Sequence, residues 1–277
     1  MRFVDVHPLI EGIPHMTTEQ ARTAYHFLRR TGATRVLELG FAHGVSTCVF
    51  AAAMEETGGH VTTIDRVSAE RREPNIWELL DRTGLRDRVT VIFEETSYTW
   101  ALMRFLEQKP MPRFDFIYVD GAHSWDVDGF AFSLVDQLLE PGGWILFDDL
   151  NWCLAGSPTM SQLPQVLALP EIQQRTTQVR KVFDLLVKRH PHYGNFRDSD
   201  NWGWARKSPT APLPARVPPS RDTGAVPAAR ATGRAVTPLG ATARRALRHL
   251  PPPAQTRIRR YRRALLAART ELAKRDP

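Results

Sequence analysis

Short apolar runs alternate with segments of helical pattern through residues 17–149 of this 277-residue chain. Five of the runs have the length and the boundaries of buried strands. Strands that alternate with helices form βαβ units, which build a parallel sheet with right-handed crossovers. We therefore predict an α/β fold in which a ligand lies at the carboxyl ends of the strands. The predicted strands are residues 35–40, 60–65, 89–93, 114–119 and 144–149.

The segments between these runs predict helices. The first begins with Thr17 and Gln20, a pair that fits a capping box, and ends at Gly32. After the fifth strand, "NWCLAGSPTMSQLPQ" is typical of a loop that closes over a site, and "IQQRTTQVR" is weakly helical. "KVFDLLVKRH" and "NWGWARK" predict a final pair of strands. The predicted helices are residues 17–32, 46–59, 75–84, 98–109 and 128–143.

Charge and composition divide the chain into three parts. Residues 208–277 hold 15 basic and 3 acidic residues, a net charge of +12, whereas residues 1–207 carry −5. Because residues 208–252 are rich in Pro, Ala and Arg, we predict a disordered linker there. We predict a folded domain over residues 1–207 and a basic amphipathic helix over residues 253–277. A nucleic-acid enzyme usually carries its basic surface beside its site, so the acidic domain disfavours nucleic acid as a substrate.

The predicted C-terminal helix has apolar residues at spacings of three and four, with arginines on its other faces. Such a helix can lie on an anionic membrane surface, pair with a partner helix, contact RNA, or remain solvated without a partner. The sequence leaves these four alternatives open.

Cysteine use and the N-terminal residues predict a cytoplasmic protein. Cys48 and Cys153 lie far apart and in no metal-binding spacing, which is typical of two reduced thiols. The N-terminal segment contains Asp5 and Glu11 and no long apolar run, so we expect neither a signal peptide nor a membrane span there.

The turn after the first predicted strand has features of a nucleotide site. In "LELGFAHGVST", Gly40 and Gly44 allow the backbone to approach a ligand, and the next helix offers free N–H groups to an anion. The spacing is not G-x-G-x-x-G, so a dinucleotide fingerprint fits poorly. Asp65, at the end of the second strand, is placed to accept hydrogen bonds from ribose hydroxyls. The alternative is a plain turn with an unrelated aspartate.

Carboxylates follow the fourth and fifth predicted strands. Asp120, Asp148 and Asp149 converge if these strands are neighbours, and without a cation they would raise one another's pKa. Oxygen ligands suit Mg²⁺, so we predict a magnesium site. The alternative is that Asp148 and Asp149 cap the strand and form a solvated turn.

His123 lies three residues after Asp120, where its side chain can lean over the site. Imidazole titrates near neutral pH and suits the removal of a proton from a reacting hydroxyl. We predict a catalytic pair of His123 as general base and Asp120 as metal ligand. The alternative is a surface or helix-capping histidine.

The combination of motifs resembles the class I S-adenosylmethionine-dependent methyltransferases. "VLELGFAHGVST" followed by "TTID" is similar to their first two motifs. "FIYVDGAHSWDVDGFAFSLVDQLLEPGGWILFDDLNW" resembles the later motifs of small-molecule O-methyltransferases of the macrocin and cephalosporin-biosynthesis type, and more distantly of catechol O-methyltransferase. The resemblance covers roughly residues 15–207. It implies a Rossmann-like, seven-stranded sheet of order 3-2-1-4-5-7-6, in which the last inserted strand is antiparallel.

The resemblance also implies an S-adenosylmethionine pocket. Glu38 and Gly40 would line it, and Gly44 would form its turn. Ser46 would hold the methionine carboxylate, and Asp65 would bind the ribose. The adenine would lie near a further residue, Ser97, for which the match is looser.

The resemblance implies the metal and the base as well. Catechol-type enzymes have a metal-ligand Asp followed later by an acidic–amide pair, and here the pair is Asp148–Asp149 instead. They place a Lys or His base three residues after the metal-ligand Asp, the position of His123 after Asp120.

We therefore predict a Mg²⁺-assisted O-methyltransferase that acts on a hydroxyl of a small molecule or saccharide, and we expect a homo-oligomer. A sugar is favoured over a phenol because four tryptophans fall near the expected acceptor side: Trp125, Trp152, Trp202 and Trp204. One alternative is a nucleic-acid-binding or RNA-modifying protein that uses the same fold, with the Arg-rich tail as its contact. Another is a membrane-docked scaffold with a degenerate site, which the intact Gly, Ser and Asp positions disfavour.

Overall fold

A computed structural model describes residues 2–213 of the chain. Within them, seven strands form one sheet with the order β3-β2-β1-β4-β5-β7-β6, which confirms the predicted topology. Most of the predicted linker and all of the predicted C-terminal helix lie outside the described residues. The strands are β1 (Arg35–Leu39), β2 (His60–Arg66), β3 (Val89–Glu94), β4 (Phe114–Val119), β5 (Leu139–Phe147), β6 (Tyr193–Ser199) and β7 (Trp202–Lys207).

The central strands are parallel, and their hydrogen bonds continue one residue past the carboxyl ends. β1 pairs in parallel with β2 and β4, and β4 pairs in parallel with β5, whereas β7 is antiparallel to β5 and β6. Asp120 N donates to Leu39 O (2.8 Å), and Asp148 N donates to Val119 O (3.0 Å). Gly40 N donates in the same way to Ile64 O (2.8 Å). The first residues after β1, β4 and β5 therefore lie side by side.

Four of the five predicted helices begin and end within two residues of the observed bounds, whereas the helix predicted over 128–143 spans Trp125–Leu138 and is followed directly by β5. Thr17 and Gln20 form the predicted capping box, and Gly32 ends the helix in a left-handed conformation (φ +69°). The α-helices of the described residues are α1 (Phe3–Ile10), α2 (Thr18–Thr31), α3 (Val45–Thr57), α4 (Ile76–Thr83), α5 (Thr99–Glu107), α6 (Trp125–Leu138), α7 (Pro164–Leu167), α8 (Glu171–Arg175) and α9 (Gln178–Val182).

The prediction of a strand in "KVFDLLVKRH" is wrong, because this segment is helical. It forms the end of α9 and a π-helical turn over residues 183–187. Its buried residues Val182, Phe183 and Val187 share one helical face, and α9 packs against α6. The sixth strand is instead the following "YGNFRDS", a mostly exposed edge strand. A polar edge strand carries no alternating apolar signal, which is why the pattern misses it.

Two apolar layers cover the sheet. One contains α1 to α4 and packs Phe50 against Phe116 and Tyr118. The other contains α5, α6 and α9 and buries Leu102 and Phe132. Among the described residues no helix is both long and apolar enough to span a bilayer. Neither layer covers the carboxyl ends of the strands, where the connecting loops lie.

Gly40 tests the contact between the ends of β1 and β4. Its φ is +88°, and a Cβ atom there would lie 2.0 Å from the carbonyl oxygen of Asp120. Gly58 is a matched control, because it has φ +73° and no atom within 4 Å of an added Cβ. We expect Gly58→Ala to lower the free energy of unfolding by about 1–2 kcal/mol, the cost of a left-handed residue. Gly40→Ala should lower it by roughly 3–5 kcal/mol in urea denaturation. Equal losses for the two variants would contradict the close approach.

Candidate active site

The carboxylate of Asp65 holds the glycine-rich turn after β1 in place. One oxygen of Asp65 accepts hydrogen bonds from the backbone N–H groups of Phe41 (3.0 Å) and Ala42 (2.8 Å). The other accepts from the N–H of Arg66 (2.6 Å). Asp65 thus fixes the shape of the turn, a role that the sequence analysis missed. Its contact with a ribose stays a prediction.

Glu38 lies beneath the same turn and is fully buried. Its oxygens accept hydrogen bonds from the hydroxyls of Ser46 (2.5 Å), Thr47 (2.5 Å) and Thr63 (2.6 Å). Burial raises the pKa of Glu38 to about 7, although the three hydroxyl donors act to lower it. Glu38 therefore supports the turn from the interior, while Gly40 and Gly44 form the turn itself. That Ser46 holds a methionine carboxylate stays a prediction.

Ser97 lies at the entrance to α5, after β3. Its hydroxyl oxygen accepts hydrogen bonds from the backbone N–H (3.2 Å) and the hydroxyl (3.0 Å) of Thr99. This arrangement satisfies an otherwise free donor of the helix start. The contact of Ser97 with adenine stays a prediction.

Asp120, His123 and Asp149 form one group at the ends of β4 and β5. One ligand atom from each lies within 4.8 Å of the others, so the three side chains can hold a metal ion. The Nε2 atom of His123 lies 3.2 Å from Asp120 Oδ1 and 3.2 Å from Asp149 Oδ2. The structure thus brings together two of the three predicted metal ligands with the predicted base.

Asp148, the third predicted ligand, is not a member of this group. It is 5% exposed, its Oδ1 accepts from the N–H of Asp149 (2.6 Å), and its Oδ2 accepts from the hydroxyl of Tyr118. Neighbouring side chains diverge here because Asp149 adopts a left-handed conformation (φ +57°). The carboxylate of Asp148 is therefore directed inward and that of Asp149 toward His123.

The group is held in an uncommon backbone geometry. His123 (φ +52°) and Asp149 (φ +57°) are both left-handed without being glycine. Such residues cost on the order of 1–3 kcal/mol each and persist where the surroundings fix them, often at functional sites. Asn201 contributes by donating from Nδ2 to Asp149 Oδ1 (2.8 Å).

The charges of the group depend on one another. Burial, and then the charge of Asp148, raise the pKa of Asp120, whereas the hydrogen bond with His123 lowers it. Burial acts to lower the pKa of His123, but the hydrogen bond with Asp120 and the charges of Asp120 and Asp149 outweigh it and raise that pKa to about 9. In this state a protonated imidazole supplies the positive charge between the two carboxylates.

Two buried tyrosines orient the acidic residues, and the sequence analysis missed both. The hydroxyl of Tyr118 donates to Asp148 and lies 3.3 Å from Asp120 Oδ2. The hydroxyl of Tyr98 donates to Asp128, whose other oxygen accepts from Ser124 N (2.7 Å). The first pair links the ends of β4 and β5, and the second fixes the turn that carries His123.

The four tryptophans do not all face the acceptor side, contrary to the prediction. Trp202 and Trp204 are only 2% and 4% exposed and pack in the core. Trp152 is half-buried, and its ring centroid lies 5.0 Å from that of His123. Trp125 is exposed at the start of α6. Only Trp152 of the four is in ring contact with the candidate site.

A cleft of about 710 Å³ lies at the opposite, amino-terminal edge of the sheet. Its charged residues already have partners: Arg35 bonds to Asp115 (2.6 Å) and to Glu140 (3.3 Å), and Arg206 Nε donates to Gly142 O (3.0 Å). It is remote from the turn and from the acidic group, so it does not bear on their chemistry.

The chain is similar to one protein family and to several solved structures. Residues 37–150 match the model of a family described as a methyltransferase domain. No curated protein sequence gives a significant match to the chain. The matched residues run from β1 to the end of β5 and so include both the turn and the acidic group.

Several solved structures share the fold. An O-methyltransferase from Bacillus cereus in complex with S-adenosylhomocysteine is 18% identical, with 74% of this chain and 90% of that chain covered and a TM-score of 0.52. An O-methyltransferase from Streptomyces achromogenes, involved in tomaymycin synthesis and solved with S-adenosylmethionine, is 19% identical, with 74% and 86% covered and a TM-score of 0.53. A putative caffeoyl-CoA O-methyltransferase from Staphylococcus aureus is 20% identical, with 75% and 93% covered and a TM-score of 0.54.

Identities of this size show the fold alone. The chain therefore shares the fold of these O-methyltransferases, and residues 37–150 within it are similar to a family described as a methyltransferase domain.

Tyr118→Phe tests the link between the two acidic strand ends. Loss of the hydroxyl leaves Asp148 buried with one donor fewer, which should lower the free energy of unfolding by roughly 1–3 kcal/mol. It should also shift the imidazole NMR signals of His123, because Asp120 loses a neighbouring donor. Tyr193→Phe is the control, since its hydroxyl bonds to Asp136 (2.9 Å) and not to this group. An unchanged His123 signal in Tyr118→Phe would contradict the proposed orientation.

Glu38→Gln tests the buried carboxyl beneath the turn. A pKa of about 7, above the usual 4.5, means that folding favours the protonated form. Stability from this group is therefore full below pH 4.5 and is lost as the pH rises toward 7, by about 3 kcal/mol in all. We expect urea denaturation to show a smaller loss between pH 5 and pH 8 in Glu38→Gln than in the unmodified protein. Glu107→Gln, at an exposed position, should keep the original slope. Identical slopes in all three proteins would refute the raised pKa.

Proposed function

We propose that this protein is an S-adenosylmethionine-dependent O-methyltransferase of the macrocin and cephalosporin-biosynthesis type, assisted by Mg²⁺. Its acceptor would be a hydroxyl of a small molecule or saccharide. The observation that carries the proposal is the adjacency of the glycine turn and the acidic group. The backbone of Gly40 directly contacts that of Asp120, so a cofactor on the turn lies next to His123 and Asp149.

The cofactor side is built from the turn and the start of α3. S-adenosylmethionine supplies a methyl group on a sulfonium centre, so the leaving group is already activated. The protein has to bind and orient it, which is the main catalytic contribution expected for such a displacement. Free N–H groups at the start of α3, that of Ser46 among them, suit the methionine carboxylate, whereas the hydroxyl of Ser46 donates to Glu38. Asp65 still has acceptor capacity for ribose hydroxyls, because a carboxylate has about four lone-pair sites.

The donor set fits a hard divalent cation. Asp120 and Asp149 offer carboxylate oxygens, which Mg²⁺ prefers, and they stand close enough together to share one ion. A bound Mg²⁺ would lower the pKa of the acceptor hydroxyl. Asp148 would then act through its hydrogen bond to the N–H of Asp149, which holds that residue's backbone in place.

His123 is the group to which we assign the acceptor's proton. Its Nε2 atom faces the oxygens of Asp120 and Asp149, so an acceptor hydroxyl held there would lie within reach. To accept the proton, the imidazole must be neutral. The charges of Asp120 and Asp149 must therefore be balanced by a group other than His123 during turnover.

The acceptor side contains one aromatic surface beside the base. Trp152 lies against His123 and begins the segment that connects β5 to α9. The same segment exposes three apolar side chains: Met160, Leu167 and Ile172. We favour a sugar hydroxyl over a phenol because the ring of Trp152 can pack against the C–H face of a sugar beside the base.

The first experiment is calorimetric titration with S-adenosylmethionine, with and without Mg²⁺, followed by methyl-transfer assays on sugars and catechols. We expect micromolar cofactor binding, and turnover that is lost in chelator and in His123→Ala. Asp149→Asn should lower turnover at least tenfold without weakening cofactor binding, because it removes charge from the acidic group alone. Asp87→Asn, at an exposed position remote from this group, should leave turnover unchanged.

Each outcome of this experiment bears on a different part of the proposal. Turnover that is unchanged by chelator would contradict the proposed role of Mg²⁺ but would still support a methyltransferase. A protein that binds no cofactor would sink the enzymatic proposal altogether.

A further inference from the structure

Two stacked histidines lie at the glycine turn of the candidate active site, and one of them contacts the loop that carries an arginine. His15 comes from the segment before α2, His43 from the glycine turn, and Arg72 from the loop after β2. The rings of His15 and His43 stack with centroids 5.6 Å apart at 24°. Nδ1 of His43 lies 2.7 Å from the carbonyl oxygen of Pro74, to which its N–H donates. These contacts join three separate segments into one wall, defined here as the His15–His43–Arg72 wall.

The wall stands at the glycine turn, which adjoins the acidic group. His43 belongs to that turn, and the turn's first residue, Gly40, contacts the backbone of Asp120. Burial lowers the pKa of His15, and the charges of Arg72 and His43 lower it further, whereas the charge of Asp149 raises it.

The wall has positive charge without an acidic partner of its own. Arg72 is exposed and makes no ion pair within the part of the chain that the structure describes. Glu70 and Glu73 belong to the same loop, yet neither is within ion-pair distance of it. A domain of net charge −5 thus keeps an unpaired guanidinium beside its candidate site.

The backbone that presents the wall is strained. His15 has φ +90° and Ala42, next to His43, has φ +51°, both unusual for residues other than glycine. Such conformations are retained where the surroundings fix them, and they concentrate at sites that clamp ligands. The surrounding structure therefore fixes the backbone conformation of the wall.

We propose that the His15–His43–Arg72 wall binds an anionic group, a carboxylate or phosphate, that the methyl acceptor carries beside its reacting hydroxyl. A guanidinium forms charge-assisted hydrogen bonds with such groups, and imidazole N–H groups add donors. The inference rests on the proposed function, whose acceptor it narrows from hydroxyl compounds in general to acidic ones.

The test compares acceptors that differ only in an anionic group. The pairs are catechol with 3,4-dihydroxybenzoate, glucose with glucuronate, and glucose with glucose 6-phosphate. We expect the anionic member of a pair to have the higher kcat/KM. Arg72→Gln and His15→Gln should lower kcat/KM for the anionic member by about tenfold or more, the usual effect of a hydrogen bond to a charged group. They should leave the neutral member unchanged, and Arg71→Gln, the adjacent exposed arginine, should alter neither.

A binding measurement separates failure of this inference from failure of the proposed function. The anionic acceptors are titrated into protein saturated with S-adenosylhomocysteine, which needs no turnover. Weaker binding in Arg72→Gln but not in Arg71→Gln would support the anion site even if no methyl transfer occurred. The inference is overturned if no anionic probe binds in an Arg72-dependent way, or if neutral and anionic members are affected equally. It is also overturned if Arg72→Gln and His15→Gln weaken S-adenosylhomocysteine binding itself, since the wall would then serve the cofactor's carboxylate.

Discussion

The close approach of the first residues beyond β1 and β4 is the constraint on which the rest of the site depends. Gly40 lies so near the carbonyl oxygen of Asp120 that no side chain fits between them. The parallel ladder continues through this contact, because Asp120 N still donates to Leu39 O. One backbone junction therefore sets the distance between the turn that would hold a cofactor and the side chains that would act on an acceptor.

Buried hydrogen bonds give this junction its rigidity. Unpaired carboxylates in an apolar interior are costly, so each buried acid here has hydroxyl or backbone donors. Glu38 takes three hydroxyls, Asp148 takes Tyr118 and a backbone N–H, and Asp128 takes Tyr98 and a backbone N–H. These residues do not reach the open site. They fix the conformation of the residues that do, which is how a fold supplies preorganisation to a site.

The sequence predicts the architecture well because the strands at the centre of the sheet are buried on both faces. Apolar runs such as "FDFIYV" and "RVLEL" mark the central strands β4 and β1, and the capping residues Thr17 and Gly32 mark the ends of α2. The predicted topology came from the family resemblance, and it is confirmed. The pattern fails at the edge of the sheet, where β6 is polar and solvent-exposed and where a helical segment replaces a predicted strand.

The sequence predicts the site less completely, for a different reason. Position relative to a strand end locates Asp120 and Asp149, but it does not say which of two adjacent aspartates turns outward. The left-handed backbone of Asp149 decides that, and no residue type in "DDLNW" signals it. The pairs Tyr98–Asp128 and Tyr118–Asp148 join separate elements and meet only in the folded chain, as do His15 and His43. A contact between distant segments leaves no local pattern to read.

A crystal structure of the protein with S-adenosylhomocysteine tests the central claim most directly. The account predicts that the ligand lies on the turn at Gly40, with its sulfur directed toward the group formed by Asp120, His123 and Asp149. Ligand bound elsewhere in the fold, or bound on the turn with its sulfur directed away from that group, would contradict the claim that this junction assembles a methyl-transfer site.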